Sequence, residues 1–97
     1  MSEPTALEWS TYLEEIKEKL HISPDENDDN LKREIEFAHA EIQGRTGSFP
    51  LSNKRGRGLV YEYVRFLYNG QGEYFVTAYA SSMSSFSWEL YDPDGDD

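Results

Sequence analysis

The chain has 97 residues and 19 acidic against 9 basic side chains, a net charge of -10 with no cysteine. That length predicts one domain with a modest core, because a chain of this size buries only about 60 to 65 percent of its unfolded surface. The charge excludes a general nucleic-acid binder, whose affinity comes from neutralising phosphates. Lack of cysteine removes disulfide frameworks, thiolate zinc sites and cysteine nucleophiles, and predicts a reducing cytoplasmic setting.

No apolar run approaches the roughly 18 residues of a membrane span. The start, Met-Ser-Glu-Pro-Thr, lacks the basic and apolar regions of a secretory signal. The expectation is a soluble protein, not exported by that route and with no membrane partner.

The first half reads as a helical hairpin. Leu13, Ile16 and Leu20, then Leu31, Ile35, Ala38 and Ile42, recur at helical spacing, with Glu, Lys, Arg and Asp between them. Thr11-Tyr-Leu-Glu14 has capping-box spacing and predicts a first helix from Ser10 or Thr11 to about His21, with Glu15 and Lys19 as an i,i+4 ion pair. Two starts are open for the second helix: Ser23-Pro24-Asp25-Glu26, or a cap at Asn27 or Asp28. It is expected to stop at Gly44. Asp25, Asn27, Asp29 and Glu36 fall at positions 1, 3, 5 and 12 of a calcium loop, but position 6 is Asn30 where that loop needs glycine. A helix start, whose dipole favours carboxylates, accounts for the run better.

Arg45 to Asn53 reads as a loop with Phe49 and Leu51 tucked against the hairpin. Arg45, Lys54, Arg55 and Arg57 cluster in or near it as a basic patch on an acidic body. Two readings stand: a solvated loop offsetting neighbouring carboxylates, or contact with phosphate or an acidic partner. A third helix runs from Ser52 or Asn53 to Asn69 with Leu59, Val60, Tyr63, Val64 and Leu67 on its apolar face and Gly70 as the stop. A fourth carries Tyr74, Phe75, Ala78, Tyr79, Ser82 and Met83 on one face. The five serines between Ser81 and Ser87 predict fraying. Trp88 and Tyr91 beyond them are either a flap on the domain's own core or an anchor for a partner. The expected fold is all-α: a small bundle of about four helices over 1–91, with a flexible, disordered acidic tail over 92–97.

The inventory of chemical groups is short. His21 and His39 belong to no metal-spaced cluster, and the carboxylates are too many for any pair to stand out as acid and base. Gly56-Arg-Gly58 and Gly70-Gln-Gly72 lack the strand and helix start of a phosphate loop, and no serine has an identifiable base. No residue is assigned to catalysis, a cofactor or a metal, so the expectation is that the chain is not an enzyme.

Taken in order, Leu13-Glu-Glu-Ile-Lys-Glu-Lys-Leu-His-Ile22, the acidic turn with Asp28-Asp29 leading to Leu31, Ile35 and Ala38, Leu59-Val-Tyr-Glu-Tyr-Val-Arg-Phe-Leu-Tyr-Asn69, and Glu73-Tyr-Phe with Tyr79 resemble the small helical head-to-tail connector proteins of tailed bacteriophages, also called head completion or adaptor proteins. The resemblance implies a ring of identical subunits under the portal protein, lining the DNA channel and joining it to a neighbouring connector or tail-completion protein. It implies a place in the virion at the head-tail interface, with assembly in the host cytoplasm and no sequence-specific DNA binding. Lys54, Arg55, Arg57, Trp88 and Tyr91 are the candidate partner-binding residues. The rival expectation is a small acidic protein-binding inhibitor or DNA mimic, in which carboxylates imitate phosphates.

Overall fold

A computed structural model describes residues 4–23, 25 and 27–91. The tail expected over 92–97 lies outside the described residues, as do Pro24 and Glu26 of the first turn. The described chain is all-helical: α1 (Ala6–Leu20), α2 (Asp28–Thr46), α3 (Lys54–Tyr68), α4 (Gly72–Ala78) and α5 (Ala80–Tyr91). Five helices therefore stand where about four are expected.

The capping box that starts α1 is Thr5 with Glu8, not Thr11 with Glu14. The Thr5 hydroxyl accepts from Glu8 N at 3.1 Å, and the Glu8 carboxylate accepts from Thr5 N at 2.9 Å. Thr11 instead sits inside the helix and donates to the Leu7 carbonyl. The earlier start adds Trp9 to the helix, whose buried residues are Trp9, Tyr12 and Ile16, while Leu13 and Leu20 of the expected stripe are half-buried. His21 ends α1 in the left-handed region, at φ 57°.

Of the two starts open for α2, the later one holds: the Asn27 side chain accepts from Asn30 N at 3.1 Å. From Asp28 onward the chain is regular helix, with Leu31 fully buried, which places Asn30 within a helical turn rather than a calcium loop. Lys17 reaches Asp28 at 2.5 Å and fastens α1 to this start. The helix also runs past Gly44, which is exposed, to a cap at Gly47 (φ 121°). Glycine is tolerated within a helix, whereas the positive φ at 47 requires it.

α2 is the central element, with α1, α3 and α5 packed on it. Leu31, Ile35, Ala38 and Ile42 are all buried, as their spacing predicts, together with Ile16, Val60 and Val64. Phe49 and Leu51 are buried too. Phe49 packs edge-on against Phe86 at 5.1 Å and His39 at 4.8 Å, while its carbonyl bonds His39 Nε2 at 2.7 Å and its N–H donates to Gln43 Oε1 at 2.9 Å. His39 is thereby accounted for as a strut of this corner.

Beyond the Gly70 turn the expected fourth helix is broken at Tyr79 into α4 and α5. Its buried line is Phe75, Met83 and Phe86, with half-buried Tyr79; Tyr74, Ala78 and Ser82 face outward. Phe75 is sandwiched between Tyr63 and Tyr79, at 4.6 and 4.7 Å. The serines do not fray the helix: α5 continues to Tyr91, held by Phe86 and by the Ser87 hydroxyl donating to the Thr46 carbonyl at 2.9 Å. Tertiary packing overrides weak propensity there. The domain measures 46 × 31 × 18 Å. Its thin dimension is about two helix diameters, so much of the chain lies near a surface.

Candidate assembly surface

The basic segment lies in the first turn of α3 rather than in a loop. The Asn53 side chain caps that turn by accepting from Gly56 N at 2.9 Å, and no acidic residue follows it. Three cations thus stand at the positive end of a helix dipole, an arrangement that needs outside carboxylates. Two come from distant helices. Arg57 turns inward, donating to Glu15 at 3.1 Å and to the Leu51 carbonyl at 2.9 Å, with its guanidinium 5.0 Å from the Tyr12 ring centre. Arg55 turns outward, pairing with Glu89 of α5 and lying over Phe86. Lys54 is exposed, with no carboxylate within ion-pair distance among the described residues.

The three candidates therefore differ in kind. The Arg57 side chain is only 15% exposed and ties α3 to α1. Arg45, grouped with them in the sequence, lies in the last turn of α2 and faces Tyr63 and Tyr74 instead. The predicted pair of Glu15 with Lys19 is replaced by two longer-range ties, Glu15 to Arg57 and Lys19 to Glu62 at 3.5 Å.

The Arg57 tie also shapes local titration. Burial, then the hydrogen bond Tyr61 donates to Glu15 at 2.8 Å and the charge of that carboxylate, pushes the Tyr61 phenol well above its usual range. A second knot surrounds Glu62, which accepts from Arg65 at 2.6 Å and from the Tyr79 hydroxyl at 3.0 Å. Burial alone would raise the Glu62 carboxyl, but those bonds and the charges of Arg65 and Lys19 outweigh it and hold it below the usual glutamate range.

Arg55 joins the two sets of candidates. Its partner Glu89 lies between Trp88 and Tyr91, which are 70% and 69% exposed and meet edge-to-face at 6.0 Å. Neither ring is a flap on the core. Leu90, between them, is the residue that packs inward, beside Gly47. The start of α3 and the end of α5 thus form one surface, with Lys54, Arg55, Trp88 and Tyr91 accessible.

A second surface is absent from the sequence expectations. Phe37, Tyr68 and Tyr74 are exposed along a groove between α2 and the corner of α3 with α4. Phe37 falls between the stripe positions 35 and 38, so a large aromatic off the apolar face was the signal available. Tyr74, expected on the buried face of the fourth helix, faces outward because α4 turns Phe75 and Tyr79 inward instead.

Among the described residues no group of His, Cys, Asp and Glu has the arrangement of a metal site, and no helix is long and apolar enough to cross a membrane. No curated protein and no solved structure matches the chain. The sequence model of phage gp6-like head-tail connector proteins matches residues 10–89, from the second turn of α1 to the last turn of α5. With all five helices inside or overlapping that match, the chain belongs to the phage gp6-like head-tail connector family.

Proposed function

We propose that the chain is a ring-forming subunit that docks under the portal protein and surrounds the channel through which DNA leaves the head. The family match over residues 10–89 carries this reading; it supports a structural role in virion assembly at the head-tail interface, with portal and tail proteins as neighbours. The physical properties agree. A net charge of -10 lets DNA slide past a wall that would otherwise hold it by neutralising phosphates. A thin domain with a small core gains by burying surface against neighbours.

Within this reading the exposed Lys54 and Arg55 at the start of α3 meet another virion protein, either the portal or the next connector component. Arg57 contributes by holding α3 in place. Assembly takes place in the host cytoplasm. Co-sedimentation with purified portal tests the proposal: the chain pellets with portal rings, and Lys54→Glu weakens capture without altering the thermal melt. A chain that stays in the supernatant at every ratio contradicts it.

A further inference from the structure

We infer that the aromatic end of α5 in one copy seats in the Phe37 groove of the next copy, making the subunit-to-subunit contact of the ring. This rests on the connector reading and deepens it by naming two faces. The donor face is Trp88 and Tyr91, with Glu89 between them. Three anchors fix it: Leu90 beside Gly47, the Ser87 hydroxyl on the Thr46 carbonyl, and Glu89 on Arg55. So held, Trp88 and Tyr91 point to solvent, and neither lines the groove of its own chain.

The acceptor is a groove whose two ends share Phe37 and Leu67. Phe37 is 52% exposed and Tyr74 66%, so the floor and rim offer aromatic surface that the fold does not cover. Arg33 and Arg45 line it with no carboxylate within ion-pair distance among the described residues, against Glu34 and Glu73. On a chain of charge -10 this balanced stretch adds no net repulsion, and its two arginines are available to the carboxylates of an acidic segment. The donor is such a segment: Glu89 is followed after Tyr91 by Asp-Pro-Asp-Gly-Asp-Asp.

Since donor and acceptor are different surfaces, each chain carries one of each, the condition for a head-to-tail contact that closes into a ring. Two aromatic side chains bury on the order of 300 Å² on the donor side, well short of the roughly 800 Å² per partner of a standard stable interface. The contact is therefore weak between free copies and strengthens where a platform gathers them.

The test pairs two full-length variants, Phe37→Glu in the groove and Trp88→Glu with Tyr91→Glu on α5, all at exposed positions, with circular dichroism confirming the fold. Self-association is followed by sedimentation velocity at high concentration, and ring formation by microscopy on purified portal. Each variant alone is expected to lose copy-to-copy association on the order of thirtyfold, as loss of an aromatic anchor does. Mixed, they should form a 1:1 dimer that grows no further, since each supplies the face the other lacks. If wild type assembles on the portal and both variants assemble equally well, or the mixture gives no dimer, the groove contact is overturned while the connector reading stands. If wild type neither binds portal nor self-associates, the connector reading falls, and this contact with it.

Discussion

Gly56 and Gly58 lie two residues apart in α3, and replacing each by alanine should move stability in opposite directions. Alanine in a helix gains up to about 1 kcal/mol over glycine from backbone entropy. At Gly58 nothing lies within 4 Å of the added Cβ, so that gain is kept. At Gly56 the Cβ would penetrate the ring of Phe49 and come within 3.0 Å of Phe86 Cζ. Neither ring can swing away: both are fully buried, and Phe49 is clamped by His39, Gln43 and Phe86. Overpacking of this kind costs about 1 to 3 kcal/mol, which exceeds the helical gain. With about 4 to 8 °C per kcal/mol for a domain of this size, Gly58→Ala should raise the melting temperature by several degrees and Gly56→Ala lower it by roughly as much or more. Thermal melts followed by circular dichroism at 222 nm decide it. Equal shifts of the same sign would refute the claim that the start of α3 is packed directly on the Phe49–Phe86 corner.

Arg57→Ala should destabilise by about 1 to 2 kcal/mol in urea unfolding, because it leaves the Leu51 carbonyl without that donor and Glu15 without its cation, with only the Tyr61 hydroxyl still donating to it. Lys54→Ala should be silent in the same assay. Glu62 contributes stability that is present above its unfolded pKa and lost as pH falls through the lower folded value, so wild type should lose stability below about pH 4 more steeply than Glu62→Gln. Tyr61 works with the opposite sign: its raised folded pKa gives stability that is present below about pH 10 and lost above it. Tyr61→Phe should flatten the alkaline limb of the stability curve. Trp9 is buried and Trp88 exposed, so acrylamide should quench about half of the indole population freely; ring assembly on the portal should protect that half, and Trp88→Phe should abolish the change.

The parts of this fold legible in the sequence are those set by local period and local chemistry. Leu31, Ile35, Ala38 and Ile42 declare a buried stripe without help from the rest of the chain, and Asn53 and Gly70 mark the ends of α3 by cap chemistry. Local signals misled where two positions satisfied the same rule. Thr5 and Thr11 both stand three residues before a glutamate, and Gly44 and Gly47 both offer a stop; packing of Trp9 and the backbone angle at Gly47 decide between them. The serine run shows the same limit, since burial of Met83 and Phe86 keeps helical a segment whose propensity is poor. Least legible was the fate of the basic residues. Arg57 meets Glu15 across 42 positions and Arg55 meets Glu89 across 34, separations at which no spacing rule operates. What reads as one basic patch is in the fold an internal tie, a bridge to α5 and one exposed lysine.

Ring formation on the portal is the step on which the proposed function depends. Electron microscopy of purified portal incubated with excess chain tests it directly. A ring-forming subunit gives an added ring of density coaxial with the portal channel, with an open centre wide enough for duplex DNA. Bare portals at saturating chain, together with tight low-salt binding of the same chain to a basic nucleic-acid enzyme, would contradict it and favour an acidic inhibitor.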